Sequence, residues 1–240
     1  MKRYLVTGSS GFLGSHVVDY LVKEKNKVTC IDIKKSKFQN PKAKYIFDDL
    51  NKLEILDKYL KNIDIVVHLA AMADINKTKK YRIDAINQNI VLTAKILESM
   101  KKNNVKKIIF SSSIYAYSRT GSIYKITKQT SESLIKEYKN IFNFEYTIIR
   151  FGTLYGSRSN KENAIFNYIY QAYKDGKINV RGDGSEVREY LNILDAAKFL
   201  ANIRNNYKNE TLLITGNNRY TLKELIEIIN EIVGGKIKIK

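Results

Sequence analysis

The sequence predicts an α/β fold: a doubly wound parallel sheet with helices on both faces. Three observations predict it. Short apolar runs alternate with segments of helical period up to about position 152. Some of these runs, such as IDIVVHLAA (63–71), are apolar enough for strands covered on both faces. A glycine-rich turn, GSSGFLG (8–14), joins the first strand directly to the first helix.

Taken in order, 4–7 reads as a strand and 12–25 as a helix with Leu13, Val17 and Leu21 on one face. Strands at 27–33 and 45–47 follow, then a helix at 51–62 and the strand at 63–71. A long helix covers 83–102, KKIIFSSS (106–113) is a strand, 124–141 is a helix, and FEYTIIRFG (144–152) is the sixth strand. Repeated β-α-β order implies right-handed crossovers. Beyond Phe151 the regularity weakens, with helix expected at 161–175, strand at 178–181, helix at 194–204, strand at 211–215 and helix at 221–233. No repeat or low-complexity linker intervenes. The expected division is a domain at 1–155, to which 189–215 returns, and a small lobe from 156–188 and 216–240.

The chain has 240 residues, 44% hydrophobic and 28% charged, as expected of a soluble globular protein. No apolar run approaches the ~18 residues of a membrane span, and a strand beginning by Tyr4 leaves no room for a signal peptide. The single cysteine, Cys30, excludes an internal disulfide and a cysteine-rich metal site. A cytoplasmic protein is expected. The net charge of +18, from 42 Lys and Arg against 24 Asp and Glu, raises nucleic acid and anionic membranes as partners. The lysines are scattered without a recognised binding motif, so they read as solvated faces, and neither partner is expected. His16 and His68 stand apart from any ligand spacing, so no metal is expected.

In the glycine turn, Gly8 allows the bend, Gly11 lets backbone approach a pyrophosphate, and Gly14 lets the helix pack closely on the strand. The helix N-terminus that follows offers free N–H groups to phosphate. Asp32 closes the second strand, where a carboxylate accepts both adenosine ribose hydroxyls and repels a 2′-phosphate. NAD is therefore expected rather than NADP, with Lys34 and Lys35 pulling the other way. FSSSIYAYS (110–118) ends a strand in three hydroxyls at the edge of the sheet where ligands of such folds sit. In YKITK (124–128), Tyr124 and Lys128 share a helix face. A nearby ammonium stabilises a phenolate, which predicts a Tyr124 lowered toward neutrality and able to take a proton from an alcohol held by Ser113.

At this point the chain resembles the extended short-chain dehydrogenase/reductases, specifically the NAD-dependent epimerase/dehydratase group that acts on nucleotide sugars. TGSSGFLG (7–14) is similar to the family's TGxxGFxG loop, which implies coenzyme contacts from Gly8, Ser10, Gly11, Phe12, Leu13 and Gly14. DDL (48–50) resembles its adenine contact, at Asp49 and Leu50, and HLAA (68–71) the strand beside the coenzyme, with Leu69, Ala70 and Ala71. NIVLT (89–93) is similar to the N-V-x-G-T segment, placing Asn89 at the Asn and Leu92 where Gly is usual. FSSSIYAY resembles F-S-S-S-x-x-V-Y, which implies Ser111 as a coenzyme contact and Ser113 as the active-site serine. YKITK carries the family's catalytic tyrosine and lysine, Tyr124 and Lys128, both also coenzyme contacts. RGDGSEVREYLNILDAA (181–197) resembles the stretch whose arginine, here Arg188, grips the substrate's phosphates.

The resemblance implies a Rossmann-like sheet with a small C-terminal substrate lobe, shortened relative to the family because the chain stops at GGKIKIK. Thr153 stands where an Asn usually meets the substrate, Ser157 replaces a proline, and the loop between Ser113 and Tyr124 is short. The implied reaction is epimerisation at C4 of a nucleotide-diphosphate sugar by transient hydride transfer to bound NAD, with Ser113, Tyr124, Thr153 and Arg188 meeting the substrate. A 4-keto-sugar reductase or dehydrogenase is the alternative. A dehydratase usually carries Asp-Glu after the active-site hydroxyl, where this chain has Ile114 and Tyr115. A non-catalytic dinucleotide-binding regulator is expected to lose Tyr124 or Lys128. Relatives imply a homodimer through helices 83–102 and 124–141.

Overall fold

A computed structural model describes residues 1–180, 182–203, 206–235 and 238–239. In chain order the first elements are β1 Arg3–Thr7, α1 Phe12–Lys23, β2 Lys27–Asp32, β3 Lys44–Phe47, α2 Leu53–Leu60 and β4 Ile65–His68. After α3 Ile75–Lys80 comes α4 Arg82–Ile86, a π-helical turn Asn87–Val91 and α5 Leu92–Lys102. β5 Lys107–Ser113, α6 Ser122–Phe142, β6 Glu145–Phe151, β7 Thr153–Tyr155, α7 Ala164–Asp175 and β8 Lys177–Ile178 follow. The last elements are β9 Val187–Asn192, α8 Ile193–Ala201, β10 Glu210–Ile214, β11 Arg219–Thr221, α9 Leu222–Ile232 and β12 Lys238–Ile239.

The chain divides into two compact units, one from Met1–Phe151 and Ala197–Leu213, the other from Gly152–Ala196 and Ile214–Lys240. The first holds a seven-stranded sheet ordered β3-β2-β1-β4-β5-β6-β10, parallel from β3 through β6. This is the expected doubly wound, Rossmann-like α/β fold. Side chains alternate across such a sheet. Leu5, Ile31, Val66, Ile108 and Ile148 share one buried face with Leu56 and Leu60 of α2, Ile96, Leu97 and Met100 of α5, and Ile135 of α6. Val6, Cys30, Val67 and Ile109 fall on the opposite parity and are equally buried. α1 packs on β1 and β2 through the stripe Leu13, Val17, Val18 and Leu21.

The second unit is smaller. Its sheet is ordered β11-β9-β7, with β9 antiparallel to β11 and parallel to β7, and β8 pairs with β12 in parallel. Ile165 and Ala172 of α7 pack with Leu222, Leu225, Ile226 and Ile229 of α9. A capping box closes the start of α9: Thr221 and Glu224 satisfy each other's backbone N–H.

Several elements depart from expectation. The strand at 63–71 pairs over Ile65–His68, beyond which the backbone of Leu69 and Ala70 closes on Gly8. The helix at 83–102 contains the π turn, and α3 precedes it. β7, β9 and β11 form a sheet that no strong hydrophobic pattern announces. The strand at 178–181 shortens to Lys177–Ile178, with Arg181 outside the described residues, and the helix expected at 194–204 ends at Ala201, ahead of Asn202 and Ile203, with Arg204 outside the described residues. Among the described residues no helix is long and apolar enough to cross a membrane.

Candidate functional site

Strand order reverses around β1, which has β2 on one side and β4 on the other. At such a switch point the crevice beyond the carboxyl ends of the strands is where ligands enter. Gly8 occupies the left-handed region at φ +68°, and its N–H donates to Ile31 O at 3.0 Å. A β-carbon there would lie 2.6 Å from Ala70 N and 2.8 Å from Leu69 C, so β4 closes on β1 only around a glycine. At Gly14 a β-carbon would stand 2.1 Å from Gly8 O, so the first turn of α1 rests directly on the loop. Thr7 Oγ1 accepts the N–H groups of Leu69 and Ala70, each at 3.2 Å, which stitches the two strand ends together.

α1 begins at Gly11 with no side-chain cap and no acidic residue in its first turn. Its N–H groups and the positive end of its dipole therefore suit an anion. Asp32 is half-buried beside this loop, accepting from Ser10 N at 3.0 Å and Lys34 N at 2.9 Å. Ser10 Oγ donates to Lys34 O at 2.6 Å. Asp49 is exposed and accepts from Asn51, whereas Leu50 is buried in the main core. Phe12, Leu69, Ala70 and Ala71 are half-buried and Leu13 is buried. This cradle, closed to β-carbons and open at an uncapped helix end, fits the pyrophosphate of a dinucleotide, with Asp32 placed for a ribose.

Asn89 stands in the π turn with its side chain already engaged. Its Oδ1 accepts from Met72 N at 2.7 Å, and its Nδ2 donates to Met72 O at 3.1 Å and Thr127 Oγ1 at 2.9 Å. It ties the loop after β4 to α6.

The tip of β5 meets α6 residue by residue. Ser113 stands beside the Tyr124 phenol and favours its ionised form. One turn on, Lys128 Nζ donates to Ser111 O at 2.8 Å. One turn further, Ser112 Oγ donates to Glu132 Oε1 at 2.5 Å. All three α6 residues are buried, since residues four apart share a helix face. Three serines in a row and the spacing Y-x-x-x-K-x-x-x-E signal this contact, and Ser112 and Glu132 were missed for want of a partner in sequence.

The ionisation differs from expectation. Burial pushes Tyr124 up to about 12, opposed by Ser113. The predicted lowering by Lys128 is absent: its ammonium lies 5.8 Å from the phenol ring centre and is committed to the Ser111 carbonyl. Burial in turn pulls Lys128 down to about 8, with Glu132 acting against the fall. His68 is buried between Thr7 Oγ1 at 2.8 Å and Thr93 Oγ1 at 3.1 Å, and burial depresses it to about 3, which keeps it neutral. Among the described residues no group of three His, Cys, Asp or Glu side chains could hold a metal.

In the second unit, Thr153 lies on β7 opposite Tyr190, and Arg188 on β9 opposite Tyr220, both half-buried. Gly216 lets the chain pass close to β9, because a β-carbon there would stand 2.0 Å from Tyr190 O.

Comparison with known proteins places these features in context. A sequence model of the NAD dependent epimerase/dehydratase family matches residues 4–214. The UDP-glucuronate 4-epimerase of Thermodesulfobacterium geofontis is 28% identical over 99% of this chain and 83% of its own length. The crystal structure of a UDP-glucose 4-epimerase from Thermotoga maritima with UDP-glucose superposes with a TM-score of 0.93 at 26% identity, covering 99% of this chain and 85% of that one. A UDP-glucuronic acid 4-epimerase variant from Bacillus cereus, in complex with UDP-4-deoxy-4-fluoro-glucuronic acid and NAD, gives a TM-score of 0.91 at 25% identity, covering 99% and 85%.

Proposed function

The chain belongs to the NAD dependent epimerase/dehydratase family and is an enzyme of that type, and we propose that it inverts C4 of a UDP-linked sugar using tightly held NAD. The observation that carries this reading is Ser113, Tyr124 and Lys128 meeting at the tip of β5, in the same unit as the glycine crevice. Relatives whose names specify 4-epimerases of UDP-glucose and UDP-glucuronate support the substrate class.

When bound, NAD supplies a reversible hydride acceptor. Gly8, Ser10, Gly11, Phe12, Leu13 and Gly14 hold its pyrophosphate, Asp32 its ribose, Asp49 and Leu50 its base, and Leu69, Ala70, Ala71, Asn89 and Ser111 the path to the reacting end. Tyr124 takes the proton from the C4 hydroxyl and Ser113 orients that oxygen. Bringing a phenol held near 12 into its ionised form takes positive charge in the crevice, and Lys128 is the cation one turn away on the same helix. Arg188 and Thr153 receive the diphosphate side of the substrate. The enzyme works as a cytoplasmic homodimer.

The test is to incubate purified enzyme with UDP-glucose, UDP-glucuronate and UDP-N-acetylglucosamine and to follow products by NMR. A C4 epimer formed without net consumption of coenzyme is expected. Stoichiometric consumption of coenzyme would assign a reductase or dehydrogenase instead.

A further inference from the structure

We propose that Glu132 is a positioning residue of this site: from the helical turn beyond Lys128 it keeps that ammonium charged where it meets the tip of β5, while Arg150 and Ser112 hold Glu132 itself in place. The inference rests on the reading that Lys128 serves the coenzyme.

Glu132 is only 3% exposed. A carboxylate so placed is unfavourable unless paired, and it accepts three hydrogen bonds from two residues. Arg150 Nε donates to Oε1 at 2.9 Å, Arg150 Nη2 to Oε2 at 2.5 Å, and Ser112 Oγ to Oε1 at 2.5 Å. The Arg150 guanidinium is held flat from its other side, 4.0 Å from the centre of the Tyr117 ring. A forked pair of this kind fixes the plane of the carboxylate as well as its charge. Stability alone does not account for it, because exchanging a buried ion pair for neutral groups of similar volume is often neutral or stabilising. What the pair does is set the surroundings of Lys128.

α3 and α4 also pack on α6, but their Lys77, Lys79, Lys80, Arg82 and Asp84 are exposed, and the buried surroundings of Lys128 are sparse in charge. From β5 come the Ser111 carbonyl and the Phe110 ring, 4.8 Å from the ammonium. From β4 comes His68, held neutral. The π turn and α5 meet this part of α6 through Asn89 and Thr93, both uncharged. Glu98 of α5 meets α6 at Tyr138, well beyond Glu132. On α6 itself stand Tyr124 and Glu132, and from β6 Arg150 reaches the same carboxylate. Burial draws Lys128 down to about 8, and Glu132 is the charge that works against that fall. Without it, Lys128 loses its proton at lower pH.

The test is the pH dependence of coenzyme binding, read by calorimetry with NAD and by fluorescence with NADH between about pH 6 and 10. Affinity in the natural enzyme is expected to weaken as the pH passes about 8. In Glu132→Gln that alkaline limb is expected about one unit lower, so that affinity at pH 8 falls roughly fivefold, whereas Glu132→Asp keeps the natural limb. Ser112→Ala, which removes a hydrogen bond but no charge, should lower Tm without moving the limb. If the single variant does not fold, Glu132→Gln combined with Arg150→Gln leaves neither charge buried alone and carries the same test. A folded variant lacking the carboxylate, with its alkaline limb unmoved, overturns the inference even if epimerisation is found. Coenzyme binding with the shifted limb but no sugar turnover overturns the epimerase reading instead, and no coenzyme uptake at any pH sinks both.

Discussion

The two units of this enzyme treat polar groups in opposite ways. In the first, side-chain polar groups are buried and closed on one another along the carboxyl edge of the sheet: Thr7–His68–Thr93, Asn89–Met72–Thr127 and Ser112–Glu132–Arg150. In the second, the core is a cluster of aliphatic residues, and Arg219 pairs with Glu189 while remaining 77% exposed. Buried networks fix geometry because breaking one partner strands another. Exposed pairs can be exchanged at little cost. The proposed proton transfer demands fixed geometry, which the first unit supplies, whereas the proposed substrate contacts Arg188 and Thr153 stand in the second.

The largest test of that contrast is Tyr124→Phe. Loss of the proton acceptor should cut kcat by about 10²–10⁴-fold, with NAD affinity nearly unchanged by calorimetry. Next comes His68→Asn. The imidazole titrates near 6.5 when unfolded and near 3 when folded, so the unfolded state binds more protons between those values. Its stabilisation is complete above about pH 6.5 and lost as the pH falls toward 3, on the order of several kcal/mol; urea titrations should show a shallower loss of stability over that window in the variant. Gly14→Ala drives a methyl into the Gly8 carbonyl and should destabilise by about 3 kcal/mol, seen as a Tm lower by roughly 10 °C together with lost coenzyme binding. Smallest are changes in the second unit. Arg188→Met should raise KM about tenfold, the loss of one charge-assisted contact, with kcat and Tm preserved, and Arg219→Ala should leave all three nearly as they were. A Tm collapse in Arg188→Met would erase the distinction between the units.

Legibility in the sequence follows the same division. The sheet of the first unit is readable because strands covered on both faces are largely apolar, as β4 is over Ile65–Val67, and because Gly8 and Gly14 report close backbone approaches that no other residue permits. β7, β9 and β11 escaped notice because short, half-exposed strands such as VREYLN carry no dominant periodicity. The positions of Tyr124 and Lys128 were legible from spacing, but their ionisation was not. That depends on burial and on Ser111, Glu132 and Arg150, which come from three elements whose meeting no local pattern encodes. Asn89 shows the same limit: its place in a motif was visible, its grip on Met72 and Thr127 was not.

The wide turn at Asn87–Val91 has a consequence for how this helix can change. A π turn holds one residue more than the α-helix around it, while the segments on either side keep their faces. Its Asn89 carbonyl takes hydroxyls from Thr93 at 2.6 Å and Ser131 at 2.8 Å. Excising a single residue here would reseal the helix with Ile96, Leu97 and Met100 still directed into the core. Only the knot joining three elements behind the reacting groups would come undone, so this seam allows the enzyme's inner scaffolding to be edited without redrawing its frame.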